Sequence, residues 1–131
     1  MVEGLKSPIT WLGGKGRLAS RIIEEFPAHH TYCEAFGGSA SVLLRKSPSR
    51  VEILNDKDGR LWNLMKVIQD PELYPRLRSV CESTLFSRAE FNLSMHAADD
   101  PVESARRFMV RQRQSRGGLG NSGPFASKTP G

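Results

Sequence analysis

Two glycine clusters followed by an acid constrain this chain more than any other feature. They are Thr10-Trp11-Leu12-Gly13-Gly14-Lys15-Gly16, then Glu34-Ala35-Phe36-Gly37-Gly38-Ser39-Ala40-Ser41, then Leu54-Asn55-Asp56. A strand that ends in small residues lets a ligand approach the backbone, and an acid at the end of the next strand accepts hydrogen bonds from a ribose. The order therefore points to a nucleoside-binding site. Two better known glycine motifs do not fit. A phosphate loop needs a glycine where Ile9 stands and Ser or Thr where Gly16 stands. The dinucleotide fingerprint needs three spaced glycines, whereas Gly37-Gly38-Ser39-Ala40 has two adjacent ones and then small residues.

At 131 residues and 38% hydrophobic content the chain has the length of one ordinary domain with a modest core. Cys33 and Cys81 show neither ligand spacing nor a disulfide framework, so a reducing compartment is expected, with both thiols packed as small apolar groups. No run of 18 apolar residues occurs, and Met1-Val2-Glu3-Gly4 does not begin a signal-peptide core, so no membrane span and a cytoplasmic location are expected. His29, His30 and His96 have no acid or cysteine at ligand spacing, so no metal site is expected. The net charge of +5 and pI near 9.6 point to an anionic partner. From Arg106 onward stand Arg106, Arg107, Arg111, Arg113, Arg116 and Lys128 without an acid, which places the positive field at the C-terminal end.

Periodicity gives the order of elements. Leu18, Ile22, Ile23 and Phe26 share a helical face over 17–26, and Pro27 stops it. The first glycine cluster then sits at a helix start, where free N–H groups favour an anionic group. Strands are expected over 31–36 and 51–54, with a short helix over 39–46 between them. Leu61, Leu64, Met65 and Ile68 mark a further helix. This alternation argues for a parallel sheet covered by helices. Beyond Gln69, Asp70-Pro71, Ser87-x-x-Glu90 and Asp100-Pro101-x-Glu103 each read as a capped helix start, and 115–131 reads as loop or hairpin. Functional segments of 1–69 and 70–131 follow.

The three motifs resemble the Dam-like, adenine-specific DNA methyltransferases. The resemblance rests on Pro8-Ile9-Thr10-Trp11-Leu12-Gly13-Gly14-Lys15, on Tyr32-Cys33-Glu34-Ala35-Phe36-Gly37-Gly38-Ser39-Ala40-Ser41, and on Asn55-Asp56, in that order. It implies a Rossmann-like methyltransferase fold of the α/β class with a helical DNA-recognition insert. It also implies S-adenosylmethionine as cofactor, embraced by Trp11, Gly13, Gly14, Lys15, Glu34, Phe36 and Gly38, with Asp56 placed for its ribose. Double-stranded DNA is the implied partner, with Arg111, Arg113 and Arg116 as its candidate contacts. Ala35 stands where the family usually has proline, and Ala40 where glycine is frequent.

The family's Asp-Pro-Pro-Tyr motif holds and stacks the flipped adenine, and it does not occur among these 131 residues. The chain is therefore expected to be the incomplete, N-terminal half of such an enzyme. It carries no catalytic residue of its own, is inactive alone, and is open to completion by another segment or to self-association. The alternative is a non-catalytic, nucleic-acid-binding remnant. Blander readings stand beside the sharper ones: Asp56 capping the next helix, Trp11 in the core, Trp62 as core or partner surface, and the arginines as a solvated helix face.

Overall fold

The structure, a computed structural model, describes residues 5–120 and 123–126; Met1, Lys128 and the terminal Thr129-Pro130-Gly131 lie outside them. It divides into two compact units, Met1–Lys57 and Asp58–Gly131.

In the first unit, strands β1 (Thr31–Glu34) and β2 (Val51–Leu54) pair in parallel, with Thr31 opposite Val51 and Glu34 opposite Leu54. The ladder runs on past both strands, because Asn55 donates its N–H to Glu34 O at 2.8 Å and Gly37 donates to Asn55 O at 2.8 Å. The second strand lies where the sequence puts it. The first is shorter than 31–36, since the chain turns at Ala35 and Phe36.

Two expected helices are not regular. The 17–26 segment is a 3-10 turn, Lys15–Arg17, followed by α1 (Ala19–Glu24). Leu18 separates them by bonding its N–H three residues back, to Lys15 O at 2.9 Å. So few aligned peptides sum to little dipole, and the anion-favouring helix start expected at the first glycine cluster is weak. The 39–46 helix is instead a run of turns. Its backbone is diverted because Ala40 takes φ of +53° and because Leu43 donates its N–H to Glu34 Oε1 at 2.8 Å. Cys33 is exposed on β1, contrary to the packed thiol expected, whereas Cys81 is half-buried against Met109.

The second unit is helical: α2 (Gly59–Gln69), α3 (Leu73–Glu82), α4 (Arg88–Leu93) and α5 (Pro101–Gln114). Each start is capped as its sequence demands. Asp70 accepts from the N–H groups of Glu72 and Leu73, Ser87 from Glu90, and Asp100 from Glu103, with Pro101 opening α5. Leu61, Leu64, Val67, Leu77, Phe91, Val102, Ala105 and Phe108 are buried, and α5 packs on α2, α3 and α4. Helix α2 thus belongs to the second compact unit, Asp58–Gly131. Residue Trp62 lies 64% exposed on α2, which leaves the surface reading rather than the core one. Past α5 the chain folds back, with Ala126 donating its N–H to Gln114 O at 2.8 Å and Phe125 lying against Phe86 and Phe91.

The acid-free arginine run does not survive folding as an unbroken positive field. Arg106 is buried and forks onto Glu103 at 2.7 and 2.8 Å while also reaching Glu90 Oε2 at 2.7 Å; Arg107 Nε donates to Glu103 Oε1 at 2.7 Å. These acids precede the run in sequence, so their neutralising effect is invisible to a linear count. Removing one member of such a group strands its partners, and Arg106→Ala is expected to cost about 3 kcal/mol, measured by urea unfolding.

The hydrogen bonds from Arg106, and then from Arg107, hold the Glu103 carboxyl down to about 2 from an ordinary 4.5. A depressed carboxyl pKa stabilises the fold fully above the ordinary value and loses that contribution as pH falls through the folded one. The melting temperature should therefore drop between 4.5 and about 2, and Glu103→Gln should flatten that drop.

Candidate functional site

A pocket of about 510 Å³ opens at the carboxyl ends of β1 and β2. That volume lies within the range of small-molecule sites, and the carboxyl end of parallel strands is where open α/β sheets bind ligands. Trp11, Gly13, Gly14, Lys15, Glu34, Phe36, Gly38 and Asp56 all line it. The three sequence motifs therefore converge on one cavity.

The loops are set by interlocking hydrogen bonds. Gly14 N–H donates to Trp11 O at 2.9 Å, closing the first glycine turn. Gly38 has φ of +50°, and its N–H donates to Asp56 Oδ2 at 2.9 Å. A Cβ at position 38 would lie 2.9 Å from both Cδ1 and Nε1 of Trp11. The Trp11 indole stands against this glycine, and a side chain there would press on it, while Gly38 itself lines the pocket. Asp56, expected at a ribose, also ties the second glycine loop to the end of β2.

Glu34 is anchored from two sides, its Oε1 accepting the Tyr32 hydroxyl at 2.8 Å and the Leu43 N–H at 2.8 Å. Burial, then the bond to Glu34, raises the Tyr32 phenol above its ordinary value. The Tyr32 ring is held in turn by Phe26 at 5.3 Å and by the Lys46 ammonium, 4.6 Å from its centroid. Lys46 itself pairs with Glu52. Tyr32 and Phe26 line the pocket but were not among the candidate residues. The signal for Tyr32 was available, since residues two apart on a strand share a face.

The lining chemistry narrows the ligand. Four aromatic side chains, Trp11, Phe26, Tyr32 and Phe36, and two carboxylates, Glu34 and Asp56, face one cation, Lys15. A polyphosphate would meet carboxylate repulsion there. A flat, apolar base with hydroxyl groups and a positively charged group suits it. Among the described residues, no group of three His, Cys, Asp or Glu could hold a metal ion, and no helix is long and apolar enough to cross a membrane.

The candidate DNA contacts lie in the helical unit and differ from one another. Arg113 and Arg116 are exposed. Arg111 is half-buried, with Nη2 donating to Met95 Sδ at 3.2 Å.

A parallel strand pair with its pocket at the carboxyl ends, followed by a helical unit, defines an α/β protein with a separate arginine-bearing helical segment. The chain belongs to the D12 class N6 adenine-specific DNA methyltransferases, whose family model matches residues 11–113. The resemblance drawn from the three motifs is borne out. The match begins at Trp11, spans every pocket residue named above and ends at Arg113, short of Arg116. No curated protein sequence matches the chain.

Proposed function

We propose that this chain serves the transfer of a methyl group from S-adenosylmethionine to the exocyclic amine of adenine in duplex DNA. The observation that carries the reading is the convergence of all eight motif residues on one cavity lined by aromatic rings and two carboxylates. S-adenosylmethionine supplies a methyl on a cationic sulfur, open to direct displacement by the adenine amine. The chain's own residues hold and orient. Trp11 and Phe36 offer flat apolar faces, Glu34 a carboxylate fixed by Tyr32 and Leu43, and Asp56 an acceptor for ribose hydroxyls. Such a site works by alignment, which lowers the barrier without a covalent step on the protein.

In this reading the strand pair is the start of a Rossmann-like sheet, the helical unit is a DNA-recognition insert, and the protein acts in the cytoplasm. A second reading, a nucleic-acid-binding module without chemistry, rests on the exposed Arg113 and Arg116 of the helical unit.

The two readings part at the pocket. Asp56→Ala is expected to weaken S-adenosylhomocysteine binding by about tenfold to a hundredfold, the worth of a charged acceptor. Asp56→Asn keeps an oxygen for the Gly38 N–H and should fall between. Calorimetry measures both. Equal binding by Asp56→Ala and the parent removes the ribose role, and no binding by the parent favours the second reading.

A further inference from the structure

A second pocket, of about 250 Å³, lies within the helical unit. Arg60 of α2 and Arg107 and Arg111 of α5 line it, together with Ser94, Met95 and Ser104, and no Asp or Glu is part of the lining.

Two of these arginines already have hydrogen-bond partners, those of Arg107 including the carbonyls of His96 and Ala97 in the cavity wall. Arg60 forks onto Asp58, Nε to Oδ1 at 3.0 Å and Nη2 to Oδ2 at 2.7 Å. Arg107 Nε is taken by Glu103, and its Nη1 donates to His96 O at 3.1 Å and Ala97 O at 2.9 Å. Arg111 has no such partner. Its Nη2 meets a thioether, a weak acceptor, and its Nε is buried with no hydrogen-bond partner among the described residues. A guanidinium keeps its charge even when buried, so an unpaired buried N–H beside other cations is a standing cost. Burial, and then the charge of Arg60, lower the pKa of Arg111. The cavity thus gathers positive charge and lacks the acceptor that would balance it.

We propose that this pocket seats a phosphate group, with the Arg111 guanidinium as its principal ligand and Arg60 and Arg107 as flanking charges. The planar fork of arginine matches a tetrahedral oxyanion, and a charged acceptor supplies what a thioether cannot. The phosphate comes either from the backbone of duplex DNA, which rests on the DNA reading above, or from a free oxyanion. A backbone contact fixes the protein's register on the duplex and carries no sequence information.

The test compares the parent with Arg111→Met and Arg111→Lys. Arg111→Met should lower the slope of log affinity for a short duplex against log salt by about one, the signature of one lost phosphate contact. At low salt it should weaken duplex binding roughly tenfold. Arg111→Lys, which keeps the charge without the fork, should fall between. Inorganic phosphate should raise the melting temperature of the parent and leave that of Arg111→Met unmoved. The Met variant should itself melt no lower than the parent, since an apolar chain of similar length replaces an unpaired buried charge. Phosphate protection of the parent with an unchanged duplex slope in the variant keeps the pocket and assigns it to a free oxyanion. A parent that binds no duplex overturns the DNA reading, while the phosphate arm still decides the pocket. If neither duplex nor phosphate distinguishes the parent from Arg111→Met, the proposal is overturned.

Discussion

Gly38→Val is expected to lower S-adenosylhomocysteine binding by about thirtyfold or more, through strain and overpacking that together reach ~2–5 kcal/mol. Gly38 sits at φ of +50°, where a β-branched residue is strained, and a Cβ there would press on two indole atoms of Trp11 at 2.9 Å. The valine displaces the tryptophan and misaligns the N–H held by Asp56, so two walls of the pocket fail together. Calorimetry reads the binding, and the helical unit should keep its cooperative melting transition. Trp11→Ala removes the same wall without backbone strain and should weaken binding about tenfold, which keeps the test decisive should the valine variant unfold. Parent-like affinity in both would show that the indole is not part of the binding surface.

That wall illustrates what a linear sequence carries and what it hides. Local signals transferred well. Asp70, Ser87 and Asp100 were legible as caps because a capping oxygen bonds an N–H only two or three residues on. Strand β2 was legible as the short run Val51-Glu52-Ile53-Leu54 that precedes Asn55-Asp56. Contacts across long separations were not. The Trp11 ring stands against Gly38, and Arg106 of α5 finds Glu90 of α4. Nor does periodicity show that Glu34 takes the Leu43 N–H, which is why 39–46 had the pattern of a helix and folds as turns.

The capping box at Ser87 shows the same limit from the other side. Ser87 accepts from the Glu90 N–H as the motif requires. The Glu90 carboxylate does not return the bond; it reaches Arg106, and the Ser87 N–H donates to Gln114 Oε1 at 3.2 Å instead. A side chain near a motif bonds whichever partner the tertiary fold brings closer. The pocket was legible as three motifs, since each is a local turn, but its aromatic support was not. Phe26 read as one more residue on a helical face, yet α1 stops at Glu24 and leaves its ring beside Tyr32.

A polypeptide of these 131 residues is expected to transfer no methyl to adenine in duplex DNA, even with S-adenosylmethionine present in excess. A flipped adenine needs acceptors for its amine and an aromatic platform, and groups that act as a unit lose their joint effect when they are absent. The Asp-Pro pairs present do not replace them, because their carboxylates are engaged elsewhere. Asp70 Oδ1 takes the N–H groups of Glu72 and Leu73 at 2.8 and 2.9 Å, and Asp100 Oδ2 takes that of Glu103 at 2.8 Å. Nor does either tyrosine offer such a platform: Tyr32 lines the pocket with its hydroxyl held by Glu34, and Tyr74 lies on α3 in no acceptor motif. Transfer of a labelled methyl from S-adenosylmethionine to mixed-sequence duplex DNA measures this directly. Mixing in a polypeptide that carries Asp-Pro-Pro-Tyr from a related enzyme should produce turnover where the chain alone gives none, and Gly38→Val should abolish it. Robust transfer by the 131 residues alone would place the amine acceptors among side chains assigned here to caps and loop ties.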